Sequence, residues 1–216
     1  TFEQAAAFQT AYLTAYVSLV RRGNLMKGET LLVHGSTGGV GMAAVQLGKY
    51  LGAKVIATGT SEEKLEHTKS WGADHTILTH KNGKVEFREE VKDLTGGKGA
   101  DVVYDPVGGD VFDQSIRCIN WGGRLLVVGF ASGRIPSLPV NMALIKGFSV
   151  IGVRAGEFGR KDPLAGKENN VAIREICEAG HFNPHVCKEF KLSQAKEAIQ
   201  YLSERKLVGK VVIKTD

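Results

Sequence analysis

Short apolar runs alternate with stretches of helical spacing along most of this chain. The run Leu31–Val33 is too short for a core helix and leads into a turn of small residues. Beyond the turn, apolar residues recur on one helix face, at Val40, Ala44, Leu47 and Leu51. The periodic stretch stops at Gly52, a residue typical of helix ends. The pattern therefore predicts a strand, a glycine-rich turn and a helix.

The same alternation predicts six strands, most of them rich in Val, Ile or Leu. They cover residues 30–35, 54–58, 76–78, 101–105, 123–129 and 147–153. The predicted helices before and between them cover residues 3–22, 38–51, 61–71, 84–94 and 110–119. Near-continuous apolar strands separated by helices are typical of a parallel sheet covered on both faces. We therefore predict an α/β fold, a doubly wound parallel six-stranded sheet with the Rossmann order 3-2-1-4-5-6.

The last part of the chain has a different pattern. A helix is predicted over residues 168–179, followed by a strand at 186–191, a helix from Ser193 to Glu204 and a strand at 210–214. Two strands around one helix do not make a domain, so we expect this tail to pack against other parts of the protein.

The glycine-rich turn has the composition of an anion-binding site. A turn between a strand and a helix directs free backbone N–H groups and the positive end of the helix at an anion, commonly a dinucleotide pyrophosphate. Relative to the fingerprint G-x-G-x-x-G, Ser36 replaces the first glycine, while Gly38 and Gly41 occupy the other two positions. The candidate cofactor-binding residues of the turn are Ser36, Thr37, Gly38, Gly39, Val40 and Gly41. A strand–helix connection without a ligand is the alternative.

Composition narrows the function classes. The 216 residues carry a net charge of +5, with basic and acidic residues interleaved, which favours a mixed solvated surface over a nucleic-acid interface. No apolar run reaches the length of about 18 residues that a membrane span requires. The three cysteines are far apart and lack metal-ligand spacing, which predicts reduced thiols in the cytoplasm, with a mitochondrial location left open. The chain starts at Thr1 without a secretory leader, and we expect it to be a segment of a longer protein.

Several motifs, in order along the whole chain, resemble the medium-chain dehydrogenase/reductase superfamily. The most similar branch is that of the zinc-free, zeta-crystallin-like quinone oxidoreductases. The motifs that carry the resemblance are Val33–Gln46, Leu51–Ile56, Gly72–His75, Asp101–Gly109, Gly122–Arg124 and Gly209–Ile213.

The resemblance implies a domain organisation and a reaction. Residues 1–22 would be a connecting helix, residues 23–180 the dinucleotide-binding domain, and residues 181–216 a tail returning to an absent catalytic domain of GroES-like architecture. The expected reaction is zinc-independent hydride transfer from NADPH to a quinone or other electron-poor enone. We assign no catalytic residue and no metal ligand. An enoyl-thioester reductase module and a non-catalytic dinucleotide-binding or dimerisation domain are the alternatives.

The stretch after the second predicted strand indicates which nicotinamide cofactor binds. NAD-selective sites place an acidic residue there, but this chain has no acid before Glu62. A 2′-phosphate would find the Ser61 hydroxyl and Lys64, and the resemblance implies a phosphate-binding role for a lysine at this position. Thr79 stands where many relatives have a tyrosine that contacts the same phosphate. The alternative for Lys64 is a solvated helix lysine.

Strand ends near the switch point supply further candidates. Val107, Gly129, Phe130 and Arg154 are expected to lie near the nicotinamide, although Phe130 is as compatible with the core and Arg154 with the surface. The apolar strand at 148–153 would be an exposed sheet edge, and relatives form homodimers through such edges. We therefore expect a homodimer through this strand, the alternative being that the following loop at 155–167 covers it.

Overall fold

The structure is a computed structural model that describes residues 1–81 and 83–215. Its strands are β1 (Thr30–Val33), β2 (Lys54–Gly59), β3 (His75–Leu78), β4 (His80–Lys81), β5 (Lys84–Val85), β6 (Ala100–Asp105), β7 (Ile119–Val127), β8 (Ser149–Gly152), β9 (Val186–Lys191) and β10 (Lys210–Lys214). Its α-helices are α1 (Phe2–Tyr16), α2 (Gly39–Tyr50), α3 (Glu62–Ser70), α4 (Arg88–Leu94), α5 (Gly109–Ser115), α6 (Val140–Lys146), α7 (Ala155–Lys161), α8 (Pro163–Glu178) and α9 (Ala195–Ser203). A π-helical segment, Val17–Arg22, continues α1.

The central sheet is parallel, and its strand order is β3-β2-β1-β6-β7-β8. This is the predicted order 3-2-1-4-5-6 once the short pair β4–β5 is left out, so the doubly wound fold is confirmed. β1 is central, with Leu32 opposite both Ile56 of β2 and Val103 of β6. The carboxyl ends of β1, β2 and β6 therefore meet at one edge of the sheet. At this point the strand order switches from one side of β1 to the other.

Two apolar clusters cover the two faces of the sheet, as a parallel sheet requires. One contains Tyr12 of α1 and Leu47 of α2 beneath Leu31 and Val55. The other contains Phe112 of α5 with Leu32, Ile56 and Val103. Alternate residues of one strand thus enter opposite clusters, which explains why these strands are apolar throughout rather than alternating.

Several predicted boundaries were wrong. The stretch predicted as a helix from residue 84 begins with β5, which pairs with β4 in a hairpin, and the helix starts only at Arg88. The helix predicted over 110–119 ends at Ser115 because Ile119 already pairs with Ala100 and begins β7. The helix predicted from 168 begins at Pro163, where the Asp162 carboxylate accepts from the Ala165 N–H at 3.0 Å.

Two short helices occupy stretches without a predicted element. α6 follows Pro139, and each of its residues is at least partly exposed. α7 lies inside the stretch 155–167 that was expected to be a loop, and it packs on α8 where Gly159 and Gly166 meet. Glycines allow this close approach because they have no side chain between the helix backbones.

The tail packs against the domain, as expected. β9 and β10 pair in parallel, and Lys214 of β10 forms an ion pair with Glu3 of α1 at 2.5 Å. The main chain at Asn183 accepts from the Gln46 side chain of α2 at 3.0 Å. Gly209, just before β10, forms a bridge with Gly38 in the glycine-rich turn. The tail is thereby attached to the element on which the anion-binding prediction rests.

Three further findings concern the described residues as a group. No helix among them is both long and apolar enough to cross a membrane. The three cysteines are free thiols, and burial raises the pKa of Cys118 to about 12. No cluster of three or more potential metal-ligating side chains occurs in this part of the chain.

Candidate functional site

A cavity of about 450 Å³ lies at the carboxyl ends of β1, β2 and β6. Its walls come from five parts of the chain. These are the glycine-rich turn, the end of β2 with the start of α3, the hairpin region at Thr79, His80 and Val85, the residues after β6 and β7, and the tail at residues 202–207. Ligands of doubly wound sheets bind at this edge, so this cavity is the candidate cofactor site.

The glycine turn, residues 36–41, is held by its own backbone. The Gly38 N–H donates to the Gly35 carbonyl at 3.0 Å, and the Met42 N–H donates to the Gly38 carbonyl at 2.8 Å as α2 begins. Gly38 is the N-cap of α2 and provides no side chain to cap it. The first N–H groups of α2 thus lack a side-chain cap, and they add to the positive end of the helix dipole.

The glycines of the turn serve different purposes. A Cβ atom on Gly41 would lie 2.2 Å from the Gly35 carbonyl oxygen, so only glycine allows α2 to pack this closely on the end of β1. A Cβ atom on Gly39 would lie 2.5 Å from the Lys210 side chain of the tail. A Cβ atom on Gly38 would meet only the Gly35 oxygen, at 3.5 Å. Gly38 therefore faces open space rather than protein.

Ser36 anchors the turn to β2. Its side chain is fully buried, and its hydroxyl donates to the Thr58 carbonyl at 2.9 Å. Its N–H donates to the same carbonyl at 3.1 Å. The hydroxyl of the serine at the first fingerprint position thus donates its proton within the protein. Serine in place of glycine adds a hydrogen bond between the turn and β2.

The tail crosses the glycine turn, a contact that the local sequence patterns did not reveal. The Gly209 N–H donates to the Thr37 carbonyl at 2.7 Å. Leu202, Arg205 and Leu207, from the segment before Gly209, line the cavity. A signal was present in Gly209, whose φ of +71° and approach to the His185 carbonyl both require glycine.

Lys64 lines the cavity beyond the end of β2, whereas Ser61 does not. Ser61 is the N-cap of α3, and its hydroxyl accepts from the Lys64 N–H at 3.4 Å. The Lys64 ammonium group donates to the main-chain carbonyl of Arg205. Two cationic residues, one from α3 and one from the tail, are therefore next to each other in the cavity wall.

Thr79 lines the same wall but is almost completely buried. Its hydroxyl donates to the Gly59 carbonyl at 3.0 Å and lies 3.0 Å from Nδ1 of His80. The hydroxyl proton thus has a partner within the protein. His80 lines the cavity as well.

Asp105 shapes the turn after β6. Its Oδ1 accepts from the N–H groups of Val107 and Gly108 at 2.8 and 2.9 Å. Burial raises the pKa of this carboxyl group. Val107 and Gly108 line the cavity. The Asp105 side chain therefore fixes the turn through its hydrogen bonds to these two backbone N–H groups.

The remaining sequence candidates lie outside the cavity lining. Gly129 follows β7, and its N–H donates to the Asp105 carbonyl at 3.3 Å. The half-exposed Phe130 ring lies beside Gly108, where a Cβ atom would be 3.0 Å from the ring. Arg154 lines a different cavity, of about 330 Å³, together with Arg22 and Phe158. The structure therefore brings Val107 to the cavity and places Arg154 elsewhere.

A larger cavity, about 650 Å³, lies between the start of α1 and the segment 180–189. Its lining includes Gln46 and Trp71 but no part of the glycine turn. We assign the cofactor to the smaller cavity because it contains the helix N-terminus and the strand ends.

Comparison with known proteins identifies the family of this chain. A family model described as zinc-binding dehydrogenase matches residues 39–165. A quinone oxidoreductase-like protein 2 homolog from Nematostella vectensis is 40% identical over 218 residues, which cover all of this chain and 58% of the relative. The chain spans about three-fifths of the length of the curated relatives it matches.

Two solved structures share the fold closely. A mycobacterial protein solved in complex with NADPH has a TM-score of 0.91 and 30% identity, covering 99% of this chain and 65% of that protein. The CurK enoyl reductase has a TM-score of 0.88 and 27% identity, covering all of this chain and 63% of that protein. The chain belongs to the zinc-binding dehydrogenase family, as the nucleotide-binding portion of a quinone oxidoreductase-like member of the medium-chain dehydrogenase/reductase superfamily.

Proposed function

We propose that this chain binds NADPH at the carboxyl edge of its sheet and is the cofactor-binding part of an oxidoreductase that reduces a quinone or another electron-poor enone. One observation carries the proposal. A single cavity combines the uncapped N-terminus of α2 with Lys64 and Arg205 beyond the end of β2.

The glycine turn fits a pyrophosphate. The N-terminus of α2 has N–H groups without a side-chain cap, and negative charge is favoured there. Gly38 leaves space next to these groups, because a Cβ atom there would meet nothing closer than 3.5 Å. The turn is held by bonds to β2 and to the tail, so little ordering is needed when an anion binds.

The end of β2 fits a 2′-phosphate better than a free ribose. NAD-selective sites use an Asp or Glu after this strand to accept from the ribose hydroxyls. Thr60 stands there in this chain, and Lys64 and Arg205 complete the wall. Among the described residues that line the cavity, Asp110 is the only carboxylate, and it is paired with Arg134 at 2.8 Å.

The nicotinamide, when bound, supplies the hydride. The chain would hold the reacting end of the cofactor with the backbone of Val107 and Gly108, whose turn Asp105 fixes. Positioning and exclusion of water are the contributions we assign to these residues. The resemblance to quinone oxidoreductase-like proteins over the whole chain supports a quinone or enone as the acceptor.

An enoyl-thioester reductase is the second candidate, because CurK shares the fold with a TM-score of 0.88. Steady-state assays of the full-length protein with NADPH separate the possibilities. The substrates are a benzoquinone, an unsaturated ketone and an enoyl thioester. We expect kcat/KM for the quinone or ketone to exceed that for the thioester by about tenfold or more.

The contrary outcomes are equally specific. Preference for the thioester would replace the quinone proposal with the enoyl reductase. Saturable NADPH binding without turnover of any substrate would make this a non-catalytic binding module. Absence of NADPH binding would remove the cofactor proposal itself.

We further propose that two copies of the chain pair through β8. No strand in the described part of the chain pairs with the outer edge of β8, which carries the exposed Val150. The neighbouring α6 exposes 82% of Leu144 and 64% of Ile145, and the Trp121 ring lies against Gly147 between α6 and β8. An apolar surface beside an open strand edge fits a second copy of the same edge.

A further inference from the structure

A fully buried histidine lies beneath the glycine turn. His34 follows β1, and both of its ring nitrogens have hydroxyl partners. Nδ1 lies 2.8 Å from the Thr58 hydroxyl of β2, and Nε2 lies 2.8 Å from the Ser115 hydroxyl of α5. One side chain thus connects β2 to the helix that follows β6, on opposite sides of the sheet's switch point.

The hydrogen-bond partners fix the tautomer of this imidazole. The Ser115 hydroxyl donates its one proton to the Val111 carbonyl at 2.7 Å, so it can only accept from His34. Nε2 of His34 therefore carries the proton, and Nδ1 accepts from the Thr58 hydroxyl. Burial lowers the pKa of His34 to about 3, in agreement with a neutral ring.

The three bonds form a directed chain that spans the cofactor cavity. It runs from the Thr58 hydroxyl through the imidazole to Ser115 and ends at the Val111 carbonyl. Thr58, His34 and Val111 all belong to the cavity lining. The main-chain carbonyl of Thr58 accepts both bonds from Ser36, so the residue at which the chain begins also holds the glycine turn.

We propose that His34 is a positioning residue for NADPH, which sets the separation of β2 and α5 and so holds the glycine turn in its binding geometry before the cofactor arrives. The inference rests on the proposed NADPH-binding function. His34 acts through Thr58 and Ser115 and need not touch the cofactor. A histidine that only fills the core would stabilise the fold without affecting affinity.

A double-mutant cycle on NADPH affinity tests the proposal in the full chain. The variants are Thr58→Val, Ser115→Ala and the double variant, each with His34 and with His34→Phe. Thr58 and Ser115 are joined only through the imidazole in this chain of bonds. We expect each single variant to raise the Kd for NADPH about five- to tenfold. We also expect the Kd of the double variant to differ by about fivefold from the value obtained by multiplying the effects of the two single variants. In the His34→Phe background this difference should vanish.

Ile116→Val is the matched control, because Ile116 is buried and follows Ser115 directly but takes no part in the hydrogen-bond chain. It should lower stability with an unchanged Kd. Nitrogen NMR of labelled His34 gives a second readout that needs no cofactor and should show a neutral ring protonated at Nε2.

Each contrary result overturns a defined statement. Wild-type affinity in Thr58→Val and Ser115→Ala, or independent effects of the two, overturns the positioning role while NADPH binding stands. A ring protonated at Nδ1, or charged at neutral pH, overturns the hydrogen-bond chain. Failure of the unaltered chain to bind NADPH overturns the proposed function and the positioning role with it.

Discussion

Gly41 packs so closely against Gly35 that a Cβ atom on Gly41 would lie 2.2 Å from the Gly35 carbonyl oxygen. The equivalent atom on Gly38 would be 3.5 Å from the same oxygen and would meet nothing else within 4 Å. Two glycines three positions apart are therefore required for different reasons. Gly41 permits the packing of α2 on β1, and Gly38 leaves room for a ligand.

Substitution by alanine should therefore have different effects at the two glycines, on stability at Gly41 and on cofactor binding at Gly38. Gly41→Ala should lower the free energy of unfolding by about 1–3 kcal/mol, because backbone atoms cannot move aside cheaply. Gly38→Ala should change that free energy by less than about 1 kcal/mol, since φ is −88° and the space is open. It should nevertheless weaken NADPH binding, because the methyl group occupies the phosphate position. Urea unfolding measures the stability, and NADPH titration measures the affinity. Wild-type affinity in Gly38→Ala would contradict the assignment of the pyrophosphate to this turn.

A carboxylate at the end of β2 should remove the preference for NADPH over NADH. Thr60 lines the cavity where NAD-selective sites have an acid. In Thr60→Asp, repulsion should lower the affinity for NADPH by about tenfold or more, with NADH affected much less. Thr60→Asn has nearly the same shape without the charge and is the control. Equal losses in the Asp and Asn variants would show that charge at this position is irrelevant to the cofactor.

The buried imidazole of His34 predicts a pH dependence of stability. Its pKa is about 3 in the folded protein against 6.5 for an unperturbed histidine. Between pH 3 and pH 6.5, His34 is therefore protonated in the unfolded chain and neutral in the folded chain. Stability is fully present above pH 6.5 and declines as the pH falls, by at most about 1.4 kcal/mol per pH unit from this group.

Urea unfolding of the wild type and His34→Gln at pH 7.5, 6 and 5 isolates this effect. Both chains share the same carboxylates, so their contributions cancel in the difference. The wild type should lose stability more steeply than the variant over this range. Parallel curves would mean that His34 is not buried in its neutral form.

An acidic residue on the outer edge of β8 should separate the proposed dimer. Val150→Glu places a charge where two copies would meet, and desolvating it is costly. Sedimentation velocity at micromolar concentration should then show a monomer. Ile199→Glu is the control, because Ile199 is 66% exposed on α9 of the tail, which packs on β9 and β10. A monomeric wild type, or a dimeric Val150→Glu variant, would contradict pairing through β8.

The features that follow from local pattern were predicted from the sequence. Leu31, Val55 and Val103 lie in short apolar strands buried on both faces, and such strands have few possible arrangements in a doubly wound sheet. The glycine turn was identified for the same reason, because its steric demands are local. The positions of Gly38 and Gly41 between β1 and the first turn of α2 followed from the fingerprint.

Features that depend on distant parts of the chain were not predicted. Arg205 reaches the cavity because the tail bonds to Thr37 through Gly209, and no spacing within residues 200–210 encodes that contact. Thr79 was considered for the 2′-phosphate, and its hydroxyl proton goes to the Gly59 carbonyl. Residue type indicates that a hydroxyl can donate, and only the packed neighbours show to which atom.

The most direct test of a phosphorylated dinucleotide at this edge is calorimetric titration of the chain with NADPH and NADH. The unaltered chain should bind NADPH about tenfold or more tightly than NADH, a difference of about 1.4 kcal/mol. Lys64→Ala should abolish most of that difference by weakening NADPH alone. Lys69→Ala should preserve it, since Lys69 pairs with Glu66 on the exposed side of α3. Equal affinities for the two cofactors, or equal losses of both in Lys64→Ala, would contradict the 2′-phosphate site.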